Sequence, residues 1–299
     1  MVHVRDYDRL TDQVMIIYDR MFQLYIVKGA QKNFLIDSGS ITKARDFSLA
    51  IDRVLNETGS KVKGIQTLLL THTHWDHTGS ASFLQQKYGF DVFTSPRGLE
   101  LLQKDKVIEY INRLNQDHKQ LIDDTSDTVV EKLQNLSAVN NGDRIPVDEH
   151  SYFEAIEAPG HTKCSMAYYL YPAKVLFSGD TVGIIEQTGI IRPLYLSSYT
   201  DYENSFHKLM ALDVDILALP HNRPIRGKER VKRHLEQSLQ RTHEIRDKII
   251  RLLNQGESIS GVAEILYRTE FSRPTLMGPR EALMTNLEAM VNSVQKECM

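Results

Sequence analysis

The chain has 299 residues, enough for one large domain or two ordinary ones, and its 41% hydrophobic and 25% charged residues are globular proportions that exclude wholesale disorder. Lys and Arg number 36 against 39 Asp and Glu, a net charge of −3 that argues against a nucleic-acid partner. Two cysteines, Cys164 and Cys298, exclude a disulfide framework and a cysteine-rich zinc site. The first fifteen residues carry acids throughout, and the longest apolar runs are only of strand length. Neither a secretory leader nor a membrane span is therefore expected, and the chain reads as cytoplasmic.

In chain order, residues 14–18, 22–28 and 32–37 are short β-prone runs, the last two joined by a turn at Gly29. Residues 42–57 predict a helix, with Phe47, Ile51, Val54 and Leu55 on one face. The apolar run 65–71 suits a strand buried on both sides, 79–88 a helix and 91–94 a strand. This alternation predicts an α/β layered core. Residues 96–124 interrupt it with two helical patterns, one at 98–103 and one marked by Val107, Tyr110, Ile111, Leu114 and Leu121. Strands return over 144–177, followed by a helix at 200–212 and a strand at 215–219. From residue 228 onward the pattern is helical, with Val231, Leu235, Leu239, Ile245, Ile249 and Leu252 near a 3.6-residue period. Two shorter helices are expected at 258–267 and 279–294.

The chemistry concentrates in THTHWDHTG, directly after the buried strand. Residues two apart on an extended loop project the same way, so His72 and His74 can share one metal ion, while Asp76 and His77 are aimed at a neighbouring position. Packing four such groups together without a cation would carry a heavy desolvation cost. His161 in EAPGHTKCSMAYYL, Asp180 in VLFSGDTVG and His221 in LALPHNRP each fall at a predicted strand end, where functional groups of layered α/β folds collect. By contrast His118, His207, His234 and His243 fall in predicted helices among polar neighbours, and His3 and His150 in exposed contexts.

Taken in order, the HxHxDH run, PGHTxxSxAYYL, LFSGDT and the late strand-end His resemble the metallo-β-lactamase superfamily over about residues 14–225. That resemblance implies a four-layer αββα sandwich, here with a helical insertion at about 96–124 and a helical C-terminal extension at 226–299 packed on a catalytic domain at 1–225. It also implies two divalent metal ions, zinc or iron or manganese. His72, His74 and His161 match the first metal position, Asp76, His77 and His221 the second, and Asp180 bridges them. Asp37 in FLIDSG matches an early Asp that supports a ligand in the superfamily; an ordinary strand-end carboxylate is the other reading.

Within the superfamily, true β-lactamases are exported and their best-known subclass carries a cysteine where this chain has Asp180, and flavodiiron proteins replace the second His of the run with Glu. Glyoxalase II-like hydrolases are closer. The insertion, the IIRPLYLSSYTDYENSFHKL stretch and the terminal helices are similar to the PqsE-type thioesterases, although Leu219-Pro220-His221-Asn222 stands where PGHG is usual. The implied activity is hydrolysis of a small-molecule ester or thioester by a metal-bridged hydroxide that Asp76 orients. Alternatives are a phosphodiesterase or ribonuclease, because residues 226–251 hold nine Lys and Arg against four acids, and a regulatory protein acting through partner binding. A homodimer is compatible with the sequence. The insertion and the terminal helices, with Tyr195, Leu196 and Tyr199, are expected to shape the substrate mouth, so that removing residues 278–299 changes preference and leaves metal content intact.

Overall fold

The computed structural model describes residues 7–19, 21–186, 189–271 and 280–299; the expectations for His3 and Pro279 lie outside them. The first half runs β1 (Tyr7–Arg9), β2 (Val14–Tyr18), β3 (Gln23–Lys28), β4 (Asn33–Ile36), α1 (Ala44–Glu57), β5 (Thr67–Leu69), α2 (Trp75–Thr78), α3 (Ala81–Tyr88), β6 (Asp91–Thr94), α4 (Pro96–Leu102), α5 (Asp105–Leu121) and β7 (Leu136–Ala138). Its seven strands form one sheet in chain order, antiparallel from β1 to β4 and parallel from β4 to β7.

The second half runs β8 (Arg144–Pro146), β9 (Tyr152–Glu157), β10 (Met166–Tyr171), β11 (Val175–Phe177), β12 (Ile184–Ile185), β13 (Ile191–Arg192), α6 (Tyr199–Met210), β14 (Ile216–Ala218) and β15 (Ile225–Arg226). Helices α7 (Lys228–Asn254), α8 (Ile259–Leu266) and α9 (Arg280–Cys298) follow, with a π turn at Tyr267–Phe271 before α9. The second sheet has the order β15-β14-β11-β10-β9-β8, and β12 and β13 form a separate hairpin.

The two sheets face each other. Val14, Ile16, Tyr25 and Phe34 of the first meet Phe153, Met166, Tyr168 and Phe177 of the second in one buried core. Strand alternation sends Met15, Ile17, Leu24 and Ile26 to the opposite face, against Phe47, Ile51 and Val54 of α1. Ala167 and Tyr169 likewise turn outward onto α6, α7 and α9. Both faces of each sheet are thus covered, which is why β2, β3 and β10 read as near-continuous apolar runs. Each fully buried large side chain here contributes roughly 1.5–3 kcal/mol. The result is the expected four-layer αββα arrangement, with α1, α3 and α5 outside one sheet and α6 to α9 outside the other. Among the described residues, no helix is long and apolar enough to cross a membrane.

Differences from the sequence-based elements are local. The helix expected from residue 42 begins as a 3-10 turn at Ile41–Lys43, because the Ser40 side chain accepts from the Thr42 N–H and caps it. Strands β1, β7, β12, β13 and β15 and helix α2 span two to four residues and hold too little sequence to show a period. On α7, Lys248 pairs with Glu270 of the π turn, and Glu244 meets Arg241 at 3.2 Å.

Candidate metal centre

Two residues after β5 comes Thr71, and the backbone turns there because Asp37 receives it. Asp37 closes β4 in the left-handed region, at φ +56°, and its carboxylate accepts the Thr71 N–H at 2.7 Å, the Thr71 hydroxyl at 2.8 Å and His77 Nδ1 at 2.8 Å. The early Asp therefore supports a ligand candidate directly. With Nδ1–H donated to Asp37, His77 presents Nε2 to the other side chains. The Ser38 N–H and hydroxyl both donate to the His77 carbonyl at 2.8 Å. Gly79 is required next: a Cβ there would lie 2.4 Å from the Trp75 carbonyl oxygen and 2.7 Å from the Ile41 nitrogen. The whole HxHxDH loop is braced by neighbours from β4 and its own turn.

The other three residues arrive singly on loops of the second half. His161 follows β9, and its Nδ1 donates to the Leu194 carbonyl at 2.7 Å. Asp180 sits in a 3-10 turn directly after β11. His221 follows β14 and donates Nδ1 to the Met21 carbonyl at 3.0 Å, so its orienting partner lies at the other end of the chain. Each anchored ring turns its free nitrogen into the cleft at the sheet ends: His161 Nε2 is 3.1 Å from His74 Nδ1, and His221 Nε2 is 3.2 Å from His77 Nε2.

Every candidate from the sequence is brought together. His72, His74 and His161 form one group, Asp76, His77 and His221 another, and His72, His77 and Asp180 a third, with the donor atoms of each group within 4.8 Å of one another. Asp180 lies between the first two, Oδ2 3.4 Å from His161 Nε2 and Oδ1 3.4 Å from His221 Nε2. Burial, reinforced by neighbouring imidazoles, pushes the His72 pKa well below its usual value, and burial brings His74 down to about 3. Burial also lowers His161. For His77 burial acts the same way, but the carboxylates of Asp37, Asp180 and Asp76 outweigh it and hold the ring well above its usual value. His221 is raised by Asp180 against the same penalty. Burial opposes ionisation of Asp180, yet His221 and His77 keep it well below the usual carboxylate range.

The arrangement fits metal ions. His72 Nε2 and Asp180 Oδ1 are buried with no hydrogen-bond partner, a state that is costly unless a cation takes the lone pairs. Three neutral imidazoles around one point and a carboxylate between two groups supply the nitrogen and oxygen donors that zinc, iron and manganese accept.

Some side chains sit elsewhere than sequence reasoning places them. Tyr195 and Tyr199, expected at the substrate mouth, are buried edge-to-face in the core under α6, with Tyr202 beside them. His118 of α5, read as one histidine among polar neighbours, is buried against Trp75 with ring centroids 4.9 Å apart, and Phe22 packs edge-on to His118, Trp75 and His221 alike. The spacing of Ile108, Ile111, Asn115 and His118 on one helical face was the available signal, and all four are buried. Cys164 is buried, its Sγ 3.4 Å from the Thr73 hydroxyl and 3.2 Å from that of Thr162.

The chain is similar to several known proteins in sequence and fold. The probable polyketide biosynthesis zinc-dependent hydrolase BaeB of Bacillus velezensis is 27% identical over 184 residues, 62% of this chain and 65% of BaeB, so the match spans just under two thirds of that protein. The human acyl-coenzyme A thioesterase MBLAC2 is 23% identical over 219 residues, 68% of this chain and 74% of MBLAC2. Among solved structures, the metallo-beta-lactamase family protein TTHA1429 of Thermus thermophilus superposes with a TM-score of 0.64 at 20% identity, covering 99% of this chain and 95% of that one, a likeness of fold. The sequence profile of the metallo-beta-lactamase superfamily matches residues 23–221, from the first residue of β3 to the last of the clustered histidines, and with two thirds of its length so matched the chain belongs to that superfamily.

Proposed function

We propose that the chain is a two-metal hydrolase of a small acyl thioester, with His72, His74 and His161 holding one divalent cation, Asp76, His77 and His221 a second, and Asp180 shared between them. The observation that carries this reading is the pair of unpartnered buried acceptors, His72 Nε2 and Asp180 Oδ1, inside two adjoining groups of donor atoms. Bound there, two divalent cations supply a water ionised near neutral pH and an electrophile for a carbonyl oxygen.

The chain's own residues do the rest. Leu194, Asp37 and Met21 hold the Nδ1–H groups of His161, His77 and His221 and thereby fix which nitrogen each ring offers. Asp76, whose carboxylate lies 3.5 Å from His221 Nε2 and 3.8 Å from His77 Nε2, is more exposed than Asp180. Its carboxylate orients the attacking water by accepting a hydrogen bond from it. A thiol ionises with a pKa of roughly 8.5, so a thiolate leaves without a dedicated general acid, and the site suits a thioester better than an alkyl ester. Cys164, buried against two threonine hydroxyls, is not called on as a nucleophile. The likeness to MBLAC2, named an acyl-coenzyme A thioesterase, supports the same substrate class.

Elemental analysis of the purified protein should find two ions per chain, and His221→Ala at most one. On a panel of acyl thioesters, lactones, bis-aryl phosphates and single-stranded RNA, thioesters should turn over fastest. Asp76→Asn reloaded with both metals should lose at least about 100-fold in kcat, the usual scale for a positioned acid–base group. Faster cleavage of RNA or phosphodiesters than of every thioester would replace this reading with a nuclease.

A further inference from the structure

Every helix leaves its first four backbone N–H groups without a partner inside it; in α6, after the N-cap Ser198, these are the groups of Tyr199, Thr200 and Asp201. Only one of them is met locally, Asp201 by the Ser198 hydroxyl at 3.1 Å. The other two are met from the far end of the chain. Tyr199 N–H donates to the Ser293 hydroxyl at 2.6 Å, and Thr200 N–H donates to the Glu297 carboxylate at 2.9 Å. Ser198 Oγ also donates to that carboxylate, at 3.0 Å. Ser293 and Glu297 are one turn apart on α9, so a single face of the C-terminal helix caps α6, and the Glu297 charge complements the positive end of its dipole.

The same first turns of α6 hold the loop that carries His161. The Gly160 carbonyl accepts from Ser197 N–H at 3.0 Å, Ser198 N–H at 3.3 Å and the Ser197 hydroxyl at 3.0 Å. Ser205 donates to the Pro159 carbonyl at 2.7 Å. Gly160 lies so close to the helix that a Cβ would come within 2.3 Å of Tyr202 N and Cα. Leu194, whose carbonyl receives His161 Nδ1, lies just before this turn, and its N–H donates to the Tyr202 hydroxyl at 3.4 Å. Tyr202 also donates to the backbone carbonyl of Asp180 at 3.5 Å.

We infer that Ser293 and Glu297 of the C-terminal helix are positioning residues for the metal centre: by capping α6 they fix the Pro159–His161 backbone and the Leu194 carbonyl that aims the His161 ring. The inference rests on the reading of His161 as a metal ligand. It reverses the sequence-based expectation that loss of the last helix leaves metal content intact. The extension is on this account a part of the metal site.

The test uses the full-length protein reconstituted with Co(II), whose visible absorption bands report ligand geometry independently of turnover. Ser293→Ala and Glu297→Ala should each shift those bands and weaken the ion at the His161 group about 3- to 10-fold in chelator competition, below the 10–100-fold typical of a direct hydrogen-bond partner of a ligand. Ser293→Thr, which keeps the hydroxyl, should restore both. Asn292→Ala, on an exposed part of the same helix, should change neither. Wild-type bands and affinity in the Ser293 and Glu297 variants, alongside a lowered melting temperature of the metal-free protein, would mean that the caps add only stability and would overturn the inference. His161→Ala is the control for the premise. A normal cobalt spectrum in that variant overturns the ligand assignment and this inference together, whereas a changed one with silent cap variants overturns the inference alone.

Discussion

The two halves of the molecule deliver their metal-ligand candidates in opposite ways. In the first half, four of them lie within six residues, and the loop is braced by Asp37, Ser38 and its own single helical turn. In the second half, His161, Asp180 and His221 come on three separate loops, and their anchors are remote: Leu194 for one ring, Met21 for another, Tyr202 for the backbone of the third. Dense ligands on a locally braced loop form a recognisable sequence pattern. Single ligands depend on the rest of the fold for their aim, and substitutions far from the cleft should disturb them.

The contrast is open to direct attack, beginning with the remote bracing. Gly160→Ala forces a Cβ onto the Tyr202 backbone at a φ of +125°, where side chains are strained. It should cost about 3 kcal/mol or more and lower Tm by roughly 6 °C or more, with preferential loss of the ion held by His161; calorimetry and metal counting read both. An unaltered melting curve would mean that the loop can detach from α6 freely.

Asp37→Asn attacks the local bracing. It removes the carboxylate from three donors, and affinity for the ion at the His77 group should fall 10- to 100-fold while the His161 group is spared. Equal loss at both groups would show that the Asp37 brace reaches His72 through Thr71 as well as His77.

The smallest effect is in the helical periphery. His234 of α7 is buried with Nε2 unpartnered, and burial lowers its pKa to about 4. The folded state therefore binds its proton at lower pH than the unfolded chain, whose histidine titrates near 6.5. Stability from the neutral ring is full above pH 6.5 and declines as pH falls toward 4, by about 1–2 kcal/mol at pH 5. In urea titrations across this range, His234→Gln should show a shallower acid decline than the parent. Parallel curves would place the acid sensitivity elsewhere.

These differences also explain what could be read in advance. The layered α/β class followed from 3.6-residue periods in α1, α5 and α7 and from short continuous apolar runs such as β2 and β10, each with enough buried positions to register. The seven clustered residues were legible because a metal site needs specific donor atoms, and few other pressures place His and Asp at successive strand ends. Tyr195 and Tyr199 were misplaced because an aromatic in a loop looks the same whether it faces a mouth or a core; only α9, packed across α6, decides it. His118 was missed because its burial depends on Trp75 and Phe22, more than forty positions away in either case. The capping of α6 by α9 was invisible for the same reason: the acceptors are ordinary helix residues until another helix end is docked on them.

The anchoring of His221 has a consequence for the order of events in folding. Its ring is aimed by the Met21 carbonyl, and the residues before it are stitched to the same hairpin, Gln23 N–H to the Pro220 carbonyl at 2.7 Å and the Tyr25 hydroxyl to the Leu219 carbonyl at 2.6 Å. These contacts close a loop of about two hundred residues, among the slowest kinds to form. A nascent chain emerging from the ribosome has the entire HxHxDH loop exposed and cation-competent long before His221 is made. On the proposed two-metal reading, the partly assembled protein is a weak, open chelator, and tight capture of a second ion would be a late event that reports that the two ends of the fold have met.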